Sequence, residues 1–171
     1  MLAARNGHHA TVEALVRPGA DVHAANANGW TAIMLAAKKG HHATVEALAG
    51  HGADVQAAEA DGTTAIMLAA MDGHRATVEA LAGLGADVQA ADANGWTAIM
   101  YAAMHGHHAT VKALAGHGAD AQAAEANGAT AIMIAAQNGH HATVEALAGL
   151  GADVQAANDS DSVMATKAQG P

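Results

Sequence analysis

Histidine is the residue type here with the most chemistry to offer, and it recurs in adjacent pairs. The chain holds 13 His in 171 residues, among them His8-His9, His41-His42, His107-His108 and His140-His141, with His74-Arg75 in the matching place of one segment. Imidazoles ligate transition metals and exchange protons near neutral pH. His42 and Glu46 are spaced i, i+4, as are His9–Glu13 and His141–Glu145, a spacing that puts both side chains on one helix face and makes a weak two-ligand site. The matching pairs Arg75–Glu79 and His108–Lys112 each place a cation where a ligand is needed. Adjacent His do not face each other on a helix, and stacked helices lie about 8–10 Å apart, whereas a zinc–nitrogen bond is about 2.0–2.1 Å. Three ligands do not converge on one ion, so no metal site and no cofactor is expected. Proton exchange is the other chemistry. Protonating every His would carry the net charge from −9 to +4, and stability or solubility is expected to change between about pH 7 and pH 5.

Catalysis finds no footing. There is no Cys, the only Ser are Ser160 and Ser162, and no His-Glu-x-x-His occurs. Gly50-His51-Gly52 imitates the start of a dinucleotide loop, but it lacks the third Gly and a preceding apolar strand, and it reads as a helix stop. The chain is expected not to be an enzyme. Without Cys, disulfides and thiolate zinc sites are excluded. Lys and Arg number 7 against 16 Asp and Glu, which disfavours nucleic acid, because phosphate neutralisation needs clustered cations. No apolar run approaches the roughly 18 residues of a membrane span, and the N-terminus shows no signal region. The expectation is a cytoplasmic or otherwise intracellular protein that engages no membrane.

The elements that position these residues come from a repeat. Residues Asn26 to Ala58 recur as Glu59 to Ala91, Asp92 to Ala124 and Glu125 to Ala157, always 33 apart, and Met1 to Ala25 matches the last 25 positions of the unit. Of 19 Gly, 18 fall in four repeat columns, so the unit is set by backbone requirements. Residues 1–157 form the array, and 158–171 read as a polar degenerate or disordered tail, with Ser162 to Lys167 as one extra cap turn. In each copy Asn28-Gly29 marks a turn, and Thr31 offers an N-cap hydroxyl. Ala32 to Lys39 forms a first helix that Gly40 ends, and a second helix runs from about His42 to Ala49 with Val45 and Leu48 on one face. Neither helix is long enough to be stable alone. Stacking on neighbouring copies buries their faces, and the 51 Ala supply the close contacts.

Asn28-Gly29-x-Thr31, Leu35-Ala36-Ala37, Gly40-His41, Val45 with Leu48, and Gly52-Ala53-Asp54-Val55, at a period of 33, resemble the ankyrin repeat family over residues 1–157. The resemblance implies an all-α solenoid of stacked helix-turn-helix units with projecting β-turn loops, and a concave binding face made by loop tips and first helices. It makes the first His of each pair a turn residue, leaving the second exposed. Two departures stand out. Thr31-Ala32-Ile33-Met34 replaces the family's Thr-Pro-Leu-His, losing a pre-organised first turn and a polar side chain that tightens the loop. Ala47-Leu48-Ala49 replaces consecutive leucines, and each Leu-to-Ala difference costs about 2–5 kcal/mol in a rigid core. A thinly packed array is expected, with its eight Met as flexible filler.

Copies differ at few positions. After the turn Gly come Trp30, Thr63, Trp96 and Ala129; at the end of the first helix come Lys38-Lys39, Met71-Asp72, Met104-His105 and Gln137-Asn138; before the Gly-Ala-Asp-Val signature come His51, Leu84, His117 and Leu150. The resemblance implies that the first two sets face the groove, and an exposed Trp is an interface anchor. Those two sets are the candidate protein-binding residues. The expected role is a protein-interaction scaffold whose partner the sequence does not identify. The alternatives are a metal- or pH-responsive His array and a structural fragment of a longer protein with no partner of its own. Met1 falls in the Met34 column, so the chain opens inside a first helix, and self-association through that uncapped edge is a further expectation.

Overall fold

The computed structural model describes residues 1–16 and 19–155. Each copy starts with Thr31 or its equivalent in extended conformation (φ −91°, ψ 169° at Thr31), after which the alanine-rich run turns helical. Among the described residues ten helices follow: α1 Leu2–Arg5, α2 His9–Val16, α3 Ala32–Lys38, α4 His42–Gly50, α5 Ala65–Met71, α6 Arg75–Gly83, α7 Ala98–Met104, α8 His108–Gly116, α9 Ala131–Gln137 and α10 His141–Gly149. The odd-numbered helices stack into an inner layer and the even-numbered into an outer one, each packing on its own partner and on its equivalents in adjacent copies. The architecture is an all-α repeat solenoid.

The glycine columns explain where helices stop. Gly40 takes φ +74°; its N–H donates to Ala37 O at 3.0 Å, and the His41 N–H reaches back to Ala36 O at 3.0 Å. That pair of bonds is a Schellman closure, which needs the left-handed residue that Gly supplies cheaply. It ends α3 at Lys38, one residue before the expected Lys39. Gly52 (φ +87°) closes α4 the same way through Ala53 N–H to Leu48 O at 3.0 Å. Gly50 is consequently the last helical residue of α4 rather than its stop. Between copies the chain forms a hairpin-like loop: Asn26 N–H donates to Trp30 O at 3.0 Å, and Ala25 and Thr31 form a single antiparallel bridge. These loops carry no strand among the described residues.

The core runs the length of the array between the two layers. Ile33, Met34, Val45 and Leu48 are buried, as are their equivalents in the following copies except Met133 and Val144, which are half-buried in the last one, and Ala36, Ala37, Ala69, Ala70, Ala102 and Ala103 are wholly inaccessible. The methyl columns thus act as contact surfaces between inner helices. Methionine departs from the expected role of flexible filler. Met34, Met67 and Met100 are each 0% exposed, and Thr31 and Thr64 N–H each donate to the sulfur of Met34 and Met67 at 3.4 Å. A thioether sulfur is a weak acceptor, yet it satisfies the loop N–H at the start of the helix. The hydroxyls of Thr64, Thr97 and Thr130 are buried without a hydrogen-bond partner among the described residues.

Two polar columns tie one copy to the next. The first His of each pair is more than a turn residue: Nε2–H of His41, His74, His107 and His140 donates to the carbonyls of Arg5, Lys38, Met71 and Met104 at 3.2, 3.1, 3.1 and 2.9 Å. Each ring lies against the Gly of the preceding copy so closely that a Cβ on Gly73 would fall 2.6 Å from His107 Nδ1. A glutamine column does the same for the loops. Gln89 Nε2 donates to Gly118 O at 2.7 Å while its Oε1 accepts Asp120 N–H at 3.0 Å, and Gln56 and Gln122 repeat the bridge. The first copy has His23 at that position. The tail from 158 onward, including Ser162 to Lys167, lies outside the described residues.

Candidate functional site

The loop tips and the C-terminal ends of the inner helices bring the candidate residues to one side of each copy, in two kinds of environment. In the second copy Trp30 is half-buried, and Lys38, at the end of α3, holds its ammonium 5.1 Å from the Trp30 ring centroid. That is within the range of a cation–π contact. Asn26 Oδ1 supports the loop from below by accepting N–H of Asn28 (2.9 Å) and Trp30 (3.0 Å). Lys39 is exposed.

The third copy differs. Thr63, in the Trp30 column, is buried (6% exposed) rather than projecting. Its N–H donates to Asp61 Oδ1 at 3.0 Å. This backbone N–H, followed by the Thr63 hydroxyl, holds the Asp61 carboxyl below its usual value by stabilising the charged form. Met71 is half-buried and Asp72 exposed.

In the fourth copy Trp96 is half-buried and packs against Tyr101, with ring centroids 5.2 Å apart and planes tilted by 42°, a favourable offset for two aromatic quadrupoles. Beneath them lies Asp92, only 8% exposed. Its Oδ1 accepts N–H of Asn94 (2.8 Å) and Trp96 (3.0 Å), and its Oδ2 accepts the Tyr101 hydroxyl at 2.6 Å. Burial first, then the hydrogen bond to Asp92 and the negative charges of Asp92 and Asp61, push the Tyr101 phenol far above its ordinary value; the Thr63 hydroxyl opposes them. Across the copy boundary the Asp61 carbonyl accepts Ala93 N–H at 2.7 Å, which sets the Asp61 loop beside that of Asp92. Met104 and His105 are exposed, and the His105 ring stacks on His107 at 6.1 Å between centroids. Burial foremost lowers the His107 imidazole; the His105 and His74 charges lower it further, while the Met71 carbonyl and Asp72 act the other way.

The last complete copy is plainer. Ala129 is half-buried, with its N–H donating to Glu125 Oε1 at 3.3 Å. Gln137 and Asn138 are exposed, and the Asn138 amide folds back onto Ile134 O at 2.8 Å.

The structure thus joins Trp30 with Lys38 in one place and Trp96 with Tyr101 in another. Lys39, Asp72, His105 and Gln137 lie one copy apart along the array instead of converging. Tyr101, Asp92 and Asp61 were missing from the sequence-derived set. A signal for Tyr101 existed: the column Leu35, Leu68, Tyr101, Ile134 holds the chain's single Tyr. On the outer face the second His of each pair is exposed, and Arg75 Nε meets Glu79 Oε1 at 2.8 Å, the ion pair that replaces the His–Glu spacing there. No group of three or more His, Asp and Glu among the described residues is placed to hold a metal ion, and no helix among them is long and apolar enough to cross a membrane.

A family model of ankyrin repeats, three copies long, matches residues 1–92 and 84–158. No curated protein matches the chain significantly.

Proposed function

The chain belongs to the ankyrin-repeat family, and from that membership we propose that it is a non-catalytic scaffold that binds a protein partner along its concave face. Ankyrin arrays are in general protein-interaction modules. The carrying observation is how the columns divide. Ile33, Met34, Val45, Leu48, His41, Gln56 and most of their equivalents are committed to packing or to bonds between copies, whereas the columns that take a different residue type in nearly every copy lie at loop tips and inner-helix ends; the outer side varies more narrowly, at Arg75, Lys112 and the His51, Leu84, His117, Leu150 column. Two half-buried tryptophans stand among those positions, and Trp is over-represented among residues that dominate binding energy.

Affinity capture with the intact chain and with a Trp30→Ala/Trp96→Ala variant tests this. Partners retained by the intact chain and lost by the variant, at unchanged helicity by circular dichroism, are the expected result. An Arg75→Ala variant, altered on the outer face, should retain them. Equal retention by all three proteins would overturn the assignment of the concave face.

A further inference from the structure

We infer that the Trp96–Tyr101 pair, with Asp61 beside it and Asp92 beneath, is a subsite for a cationic side chain, Arg or Lys, presented by a peptide segment of the partner. The inference rests on the reading of the concave face as protein-binding, and it names the chemistry of what binds there.

An internal comparison carries it. Trp30 and Trp96 occupy the same column, and the face of Trp30 already holds an ammonium, that of Lys38, at 5.1 Å from the ring centroid. In the fourth copy the Lys38 position is Met104, so Trp96 receives no cation from its own helix. The same copy and its neighbour add features that favour one from outside. Leu35 becomes Tyr101, which sets a second ring 5.2 Å from Trp96. Asn26 becomes Asp92, whose carboxylate is fixed by two N–H groups and the phenol. Asn28 becomes Asp61, an exposed carboxylate anchored by the Thr63 N–H, on a loop whose Asp61 carbonyl accepts Ala93 N–H at 2.7 Å beside Asp92.

Each change points the same way. Aromatic faces attract cations through their quadrupoles, and a guanidinium can stack on a ring while its N–H groups reach a carboxylate. Asp92, buried and already accepting three hydrogen bonds, contributes its field, and Asp61 is the partner open to a direct bond. The chain's net charge of −9 favours approach of a basic segment and opposes an acidic one.

The test uses the two indole N–H signals of the full chain, one per Trp, assigned by Trp30→Phe and followed by NMR while N-acetyl-argininamide is added, with N-acetyl-glutamine amide as the neutral control. The expected result is a saturable shift of the Trp96 signal with the arginine probe, little response at Trp30, and little effect of the control. Asp61→Asn should weaken the fitted Kd roughly two- to fivefold, as for a surface ion pair. Lys38→Gln should make Trp30 respond. A Trp96 signal that does not move, moves equally with the neutral probe, or moves no more than Trp30 overturns the inference. Its failure is separable from failure of the concave-face reading, because a partner lost only by the Trp30→Ala/Trp96→Ala variant would leave that reading standing while the cation subsite falls.

Discussion

Gly73 and His107 define the contact between copies most sharply, and a mutant cycle on the two can measure it. Gly73 has φ +73°, and an added Cβ would lie 2.6 Å from His107 Nδ1 and 2.8 Å from Cε1. Gly73→Ala therefore carries two penalties. Holding Ala in the left-handed region costs roughly 1–2 kcal/mol. Displacing the ring also breaks the His107 Nε2–H bond to Met71 O, worth about 0.5–1.5 kcal/mol. In a His107→Ala background only the first remains. Urea unfolding followed by circular dichroism should show Gly73→Ala costing about 0.5–1.5 kcal/mol less in that background than in the wild type. Gly139→Ala supplies a control, because Gly139 has nearly the same φ (+71°) with nothing within 4 Å of the added Cβ. Stepwise unfolding is a risk in repeat arrays, so hydrogen exchange at the α5–α8 amides should give the same ordering. If Gly73→Ala costs the same in both backgrounds, the ring is not a tie between copies.

Other consequences follow from single contacts. Gln89→Ala removes both bonds to the next copy and should cost about 1–2 kcal/mol, with faster hydrogen exchange at the Asp120 amide as the local sign; unchanged exchange there would refute the bridge. Met67→Leu keeps the volume but leaves the Thr64 N–H without its sulfur acceptor, so urea unfolding should show a loss of about 1 kcal/mol, whereas Met71→Leu should be nearly neutral. His107 is held below its ordinary value of 6.5 mainly by burial. Its neutral form is favoured by folding, so this contribution is complete above pH 6.5 and is lost as pH falls through the folded value. Thermal melts between pH 7.5 and pH 5 should fall more steeply for wild type than for His107→Gln. Tyr101 is the chain's single Tyr, so tyrosinate absorbance reports it alone. The phenol should stay protonated past its ordinary 10.0 in the folded chain and ionise near that value in urea, and stability should fall as pH rises above 10; ionisation near 10 in the folded chain would show that the phenol is neither buried nor bonded to Asp92.

The parts of the structure that depend on one copy alone were readable in the sequence. Thr31 and Gly40 bracket a short helix through local hydrogen bonds, and their columns recur every 33 residues, so helix order and turn positions came out within a residue. What depends on a neighbour was not readable. Gln56 recurs as visibly as Thr31, but its partners Gly85 and Asp87 lie 29 and 31 residues away, and nothing local predicts an amide reaching across a loop. The resemblance put Thr63 in a column facing the groove, yet it is 6% exposed, and burial set by the stacked neighbour is not written in its own copy. Met34 and Met67 accept a loop N–H at the sulfur, a role that composition and the softness of the side chain do not reveal.

Tyr101 also shows what a periodic array needs in order to depart from its own repeat. Stacking forces the same residue into each column, so identical copies can offer only a repeating surface, and recognition has to come from departures. A departure in a column half-committed to the core is costly unless it is compensated. The equivalents Leu68 and Ile134 are 3% and 4% exposed, and a phenol placed among them brings a hydroxyl that costs about 1–3 kcal/mol if left unpaired. Asp92 pairs it at 2.6 Å, where other copies carry Asn26, Glu59 or Glu125. The Asp is in turn held by the amides of Asn94 and Trp96, so the bond that satisfies the Tyr also fixes the loop bearing the Trp. Drift in three unrelated columns would not be expected to yield a closed chain from phenol to carboxylate to indole-bearing loop. The mutual dependence of Tyr101, Asp92 and Trp96, absent around Trp30 with its built-in lysine, is what the proposed cation subsite rests on.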